Sequence, residues 1–154
     1  MFEKALLDYL IEFHAKRDYF ECHEILEERW KEDTKENQQR FWVALIQVAV
    51  GFYHYRRNNV NGAKKMFERA MTKLKTTETQ LEALGIQVAE LINILEMQVI
   101  RIEKKMPYES IHIPLKDSLL QACLAYCEDK KITFLQVSDL TDIYLLNKHS
   151  LRSR

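Results

Sequence analysis

The sequence predicts an all-α fold: a compact bundle of about five helices, built from helix hairpins, with a C-terminal extension of two shorter helices. Two observations carry that prediction. Only three glycines and two prolines interrupt 154 residues, and strand-like alternation of apolar and polar residues is scarce. The composition, 47% hydrophobic and 30% charged, is that of a globular chain. A chain of this length buries roughly two-thirds of its unfolded surface, so it needs neither disulfide nor metal to fold.

The first helix is expected over about Phe2 to Lys16, with Phe2, Leu6, Tyr9, Leu10 and Phe13 as its apolar stripe. Asp18 is the expected cap of a second helix that runs to about Glu32. A polar break follows over residues 33–37. The third helix, about Gln38 to Arg57, is apolar nearly all round, the pattern of a central helix. Asn58-Asn59-Val60-Asn61-Gly62 reads as a turn, and the fourth helix carries Ala63, Met66, Phe67, Ala70, Met71 and Leu74 on one face. A long fifth helix is expected from about Gln80 to Lys105.

Pro107 and Pro114 then bracket an extended strap from Tyr108 to Ile113. Helices over about Lys116 to Asp129 and Ser138 to Asn147 follow, and the basic end at 148–154 reads as frayed. The division near Met106 gives a helical core over residues 1–105 and a docked strap with helices over 106–154. An internal echo accompanies this order: Phe13-His14-Ala15-Lys16-Arg17 recurs as Tyr53-His54-Tyr55-Arg56-Arg57, each followed by a polar turn and an amphipathic helix. Residues 62–70 have a tetratricopeptide character, although two imperfect copies fall short of the three that a solenoid usually needs.

Several function classes find no support. The 23 basic and 23 acidic residues cancel, so no global field favours nucleic acid or anionic lipid, and no nucleic-acid partner is expected. No apolar run approaches the roughly 18 residues of a membrane span, and the N-terminus lacks the regions of a signal peptide. Cys22, Cys123 and Cys127 lack disulfide-framework spacing, which fits a reducing cytoplasm. The C-x3-C of Cys123 and Cys127 reads as packed thiols rather than a metal or redox motif. There is no phosphate loop, no G-x-S-x-G and no cysteine with a clear catalytic partner, so no catalytic residue is expected.

The chemistry concentrates in the second helix. At about 100° per residue, His23 and Glu27 fall in the middle of a face that includes Tyr19, Phe20, Leu26 and Trp30. Glu21, Glu24, Glu28, Lys31 and Glu32 take the opposite side. Charged groups are seldom buried unless paired or bound to metal, so the pattern predicts a compensated buried pair. On the third helix, Arg40, Gln47 and His54 recur at spacings of seven, with Ala44 and Gly51 beside them. One reading is a satisfied polar cluster of His23, Glu24, Glu27, Trp30, Arg40, Gln47 and His54 that fixes helix register.

The second reading is a metal site of His23, Glu27 and His54. It would suit zinc, iron or manganese because imidazole is present, with Glu24 or Glu27 as base for hydrolysis. His-Glu-x-x-Glu is not the zinc-protease H-E-x-x-H, and the paired E-x-x-H of di-iron bundles is missing. The third reading is a small-ligand pocket in which His23 or His54 titrates.

Phe20-Glu21-x-His23-Glu24-x-Leu26-Glu27-x-x-Trp30, then Leu45-Ile46-Gln47-x-Ala49, His54 and Asn59-x-x-Gly62-Ala63, resemble the bacterial domain-of-unknown-function 309 family over about Phe13 to Leu74. That resemblance implies a small helical fold in a cytoplasmic bacterial protein, and it brings no reaction with it. The family's marked positions correspond to His23, Glu24, Glu27, Trp30, Gln47 and His54. Ala44 stands where the family often has glycine, and the segment after Met106 extends beyond the shared core. Helix pairs with a close-packed concave side are good receivers of a peptide or helix, so the expected function is a non-enzymatic helical domain that binds another, unidentified protein, with no cofactor. The tail helices either dock on the protomer or exchange between protomers of a homo-oligomer.

Overall fold

The computed structural model describes residues 2–35, 39–136, 138, 140, 142, 146 and 147. Among them seven α-helices form and no strand: α1 (Lys4–Ile11), α2 (Tyr19–Lys31), α3 (Arg40–Arg56), α4 (Val60–Thr76), α5 (Glu78–Leu84), α6 (Val88–Glu103) and α7 (Asp117–Asp129). The all-α prediction holds. α3 packs between α2 and α4, α6 lies against α4, and α1 contacts both α2 and α7. The third helix is thus the central one. A Cβ at Gly51 would lie 2.5 Å from the Phe67 ring, so this glycine admits an aromatic side chain of α4.

The echo in the sequence has a structural counterpart in the joints of two helix hairpins. Arg17 ends the first helical segment at φ 52° and Asn58 follows α3 at φ 67°, both in the left-handed region. The next residue in each case is a side-chain cap. Asp18 accepts the Glu21 N–H at 3.0 Å, and Asn59 accepts the Gly62 N–H at 3.2 Å. Each pair reverses the chain in two residues, so α1 returns along α2 and α3 along α4.

Three helices differ from expectation, and the smallest difference is in α4, which begins at Val60 behind its Asn59 cap, inside the turn expected over residues 58–62. The first does not run as one α-helix to Lys16: α1 ends at Ile11 and a π-helical turn occupies Glu12–Lys16. The long fifth helix is two helices, because Gly85 at φ 101° terminates α5 and α6 restarts at Val88. A Cβ at Gly85 would come within 2.7 Å of the Leu119 side chain. The interruption receives the strap. Ile86 and Leu115 form an antiparallel bridge, the Gln87 N–H donates to Pro114 O at 2.9 Å and the Lys116 N–H to Gly85 O at 2.8 Å. The expected helix over 138–147 and the basic end at 148–154 lie largely or wholly outside the described residues.

The core is aromatic along the hairpin axis. Phe13 meets Phe52 edge-on at 5.8 Å between centroids, and Phe52 meets Phe67 at 4.8 Å. The buried Tyr9 hydroxyl donates to Leu45 O at 2.8 Å, tying α1 to α3. Each such side chain contributes about 1.5–3 kcal/mol through burial alone.

Candidate functional site: a cleft between α2 and α3

α2 buries Tyr19, Cys22 and Leu26. His23 and Glu27 lie roughly 70° and 110° around the helix from the middle of that stripe. Their side chains are 31% and 33% exposed, so the expected buried pair is a half-exposed one. Phe20 and Trp30 caused the displacement: both are only partly buried and pull the apparent centre of the wheel away from Cys22. The pairing itself exists. His23 Nε2 stands 2.7 Å from Glu27 Oε2, and Lys31 Nζ holds the other carboxylate oxygen at 3.0 Å. The Lys31 hydrogen bond, followed by the neighbouring His23, holds the Glu27 carboxyl below its usual range.

The polar row on α3 is not a core row either. Arg40 is exposed at the start of the helix, whereas Gln47 and His54 are half-buried. Arg40 therefore stands apart from the cluster to which its spacing assigned it. Trp30 packs on the margin of the core. Gln47 Oε1 is enclosed without a hydrogen-bond donor, and His54 Nδ1 faces Asn59 Nδ2 at 3.3 Å. Since α3 runs back along α2, the later part of α3 faces the beginning of α2. There Tyr19, Phe20, His23, Val50, Tyr53 and His54 enclose an apolar notch of about 190 Å³. The two histidines foreseen as cluster members thus line one cleft.

A cation would find a different donor set from the expected one. Ligand atoms of His23, Glu24 and Glu27 lie within 4.8 Å of one another, and His54 is not of that group. Imidazole with two carboxylates matches zinc, iron or manganese chemistry. Both oxygens of Glu27 already hold partners, however, so a metal bound to Glu27 would have to displace either the His23 contact at Oε2 or the Lys31 ammonium at Oε1. Cys123 and Cys127 are free and buried on α7, and burial pushes the Cys123 thiol up to about 12. Such thiols are inert packing groups.

A second polar cluster escaped the sequence reading, and this one is buried. His14, wholly enclosed in the π-helical turn, donates from Nδ1 to Leu10 O at 2.8 Å and accepts the Ile113 N–H at Nε2, 2.9 Å away. Arg17, 1% exposed, donates to Ile111 O and Gln136 O. Arg56 donates to Arg17 O at 2.5 Å and stacks 4.4 Å over the Tyr19 ring. The Tyr19 hydroxyl meets that of Tyr108 on the strap, which in turn meets Ser138 Oγ at 2.6 Å. Burial, followed by the neighbouring Arg17 and His112, lowers His14 to about 3, so it is neutral at physiological pH. The signal was present in the sequence: His14, Arg17 and Arg56 all belong to the two copies of the echo.

No solved structure matches the chain. A curated relative, uncharacterized protein YpuF of Bacillus subtilis (strain 168), is 46% identical over 155 residues, covering 100% of this chain and 89% of the relative. The family described as a domain of unknown function (DUF309) matches residues 6–66, a stretch that holds both histidines of the cleft and the whole of α2 and α3. The chain belongs to the DUF309 family.

Proposed function

We propose that this chain is a cytoplasmic, non-enzymatic interaction domain whose α2–α3 cleft receives an apolar side chain of a partner protein. The observation that supports this reading is the notch itself. It is walled by rings and Val50, opens beside a polar rim of His23 and Glu27, and measures about 190 Å³. Small-molecule and cofactor sites occupy about 300–1,000 Å³, so the notch is too small for a metabolite and suits a single anchoring residue. In this reading the helical core carries the cleft, and the strap braces it through the Tyr19–Tyr108 hydroxyl pair.

The test compares proteins retained from native lysate by the immobilised wild type and by Val50→Phe, which fills the notch. A partner held by the wild type and lost by the variant, with the melting temperature unchanged, supports the proposal. Identical retention by both contradicts it.

The convergence of His23, Glu24 and Glu27 favours a second reading, a divalent-cation site. Elemental analysis of protein purified without chelator, beside His23→Ala, separates the two. Near-stoichiometric zinc, iron or manganese in the wild type alone would favour the metal.

A further inference from the structure

Resting on the reading of the cleft as a protein-binding site, we infer that its partner is a basic amphipathic helix, laid along α2 with one apolar residue in the notch. The chain as a whole carries no net charge, yet its charges are segregated. A groove on α2 directly beside the notch is lined by Glu21, Glu24, Glu27, Glu28 and a single cation, Lys31. Arg29, the other cation of this helix segment, faces elsewhere, bound to Glu3 and Asp33. Glu27 is held by His23 and Lys31. Glu21 follows the Asp18 cap by three residues, where an acidic side chain favours the helix N-terminus. Glu24 and Glu28 are one turn apart with like charge, an arrangement that weakens an isolated helix.

The strip and the notch share one continuous arc of α2, from His23 and Glu27 through Phe20 to Glu24, Glu28 and Glu21. A helix lying along α2 has the same rise per residue. With its anchor in the notch, Lys or Arg residues three to four and seven positions away come over Glu24 and Glu28. The notch supplies the anchor and the carboxylates fix register and speed encounter. A second copy of this chain fits less well. Of its basic clusters, that of Arg40, Arg69 and Lys73 has no large exposed apolar residue of α4 beside it. The exposed Met97 and Ile100, with Lys104 and Lys105 at the end of α6, make the self-association outcome a necessary part of the test.

The experiment selects random peptides displayed on phage against the full-length protein, then measures the enriched peptides by fluorescence anisotropy on wild type, Glu24→Gln/Glu28→Gln and Val50→Phe. The two glutamates are on the surface of α2, so the double variant is expected to fold, and Val50→Lys substitutes should Val50→Phe not fold. The inference expects enriched peptides with one aromatic or aliphatic anchor and Lys or Arg at helical spacing. Their affinity should fall about tenfold on Glu24→Gln/Glu28→Gln, with a weaker salt dependence, and be lost on Val50→Phe. Peptides that need the notch but not the glutamates would overturn the inference and leave the binding cleft standing. Enrichment of no notch-dependent peptide would overturn both. Concentration-dependent self-association abolished by the same glutamate substitutions would replace the partner helix with a second copy, and so overturn the inference as well.

Discussion

His14 and His23 stand on consecutive helical segments and both engage a partner, yet one is sealed and the other open. His14 has each ring nitrogen committed to a backbone group, shares its surroundings with Arg17, and holds the strap through the Ile113 amide. His23 shares a carboxylate with Lys31 at the lip of a cleft that faces solvent. A polar group enclosed with every bond satisfied is architecture, because removing a partner leaves an unpaired group with no water to replace it. A polar pair a third exposed contributes little to folding, since water substitutes for either partner. The same residue type thus serves assembly beneath the strap and is left available at the cleft.

The largest effect should come from the sealed side. His14→Leu orphans the Ile113 N–H and is expected to lower stability by about 2–4 kcal/mol in urea unfolding. A loss comparable to that of a surface substitution would remove the distinction between the two regions. The acid response should sharpen it. His14 is depressed to about 3 in the folded protein against about 6.5 when unfolded. The unfolded chain therefore binds the extra proton between those values. Stability is full above about pH 6.5 and falls as pH decreases, by up to about 1.4 kcal/mol per pH unit. His112, lowered mainly by its own burial and then by Arg17, acts in the same direction. The urea midpoint should decline from pH 6.5 to 4 in the wild type and decline less steeply in His14→Leu.

Tyr108→Phe removes the hydroxyl that joins Tyr19 to Ser138 and should cost about 1–2 kcal/mol. His23→Ala should cost less than about 1 kcal/mol, because Glu27 keeps Lys31 and water. Thermal unfolding of these two variants side by side checks the ranking. A larger loss for His23→Ala would return the cleft pair to the core that the helical wheel assigned it.

What the sequence made legible follows from the physics of each signal. Helix periodicity and the Asp18 cap are local, so α2, α3 and α7 fall where the pattern puts them, whereas α4 begins at Val60, inside the turn expected over residues 58–62. Gly85 falls inside the expected fifth helix, and its role depends on a strap that arrives thirty residues later to meet Ile86. The wheel located His23 and Glu27 on one side of α2 but misjudged their depth, because periodicity orders side chains around an axis without saying how far the neighbouring helix covers them. Arg40 has the right spacing for the cluster and the wrong height. The buried seam of His14, Arg17 and Arg56 was visible only as an echo of letters. Its meaning rests on backbone carbonyls of Ile111 and Gln136, which carry no mark in the sequence.

An open cleft that the proposed partner would cover stands beside a sealed seam, and carbethoxylation of the histidines read by mass spectrometry tests both halves at once. The native protein is treated alone and with the peptide or protein that the notch retains. His14 should remain unmodified throughout, while His23 and His54 react in the free protein and are protected in the complex. Modification of His14 in the native state, or equal reaction of His23 and His54 with and without the partner, would contradict it.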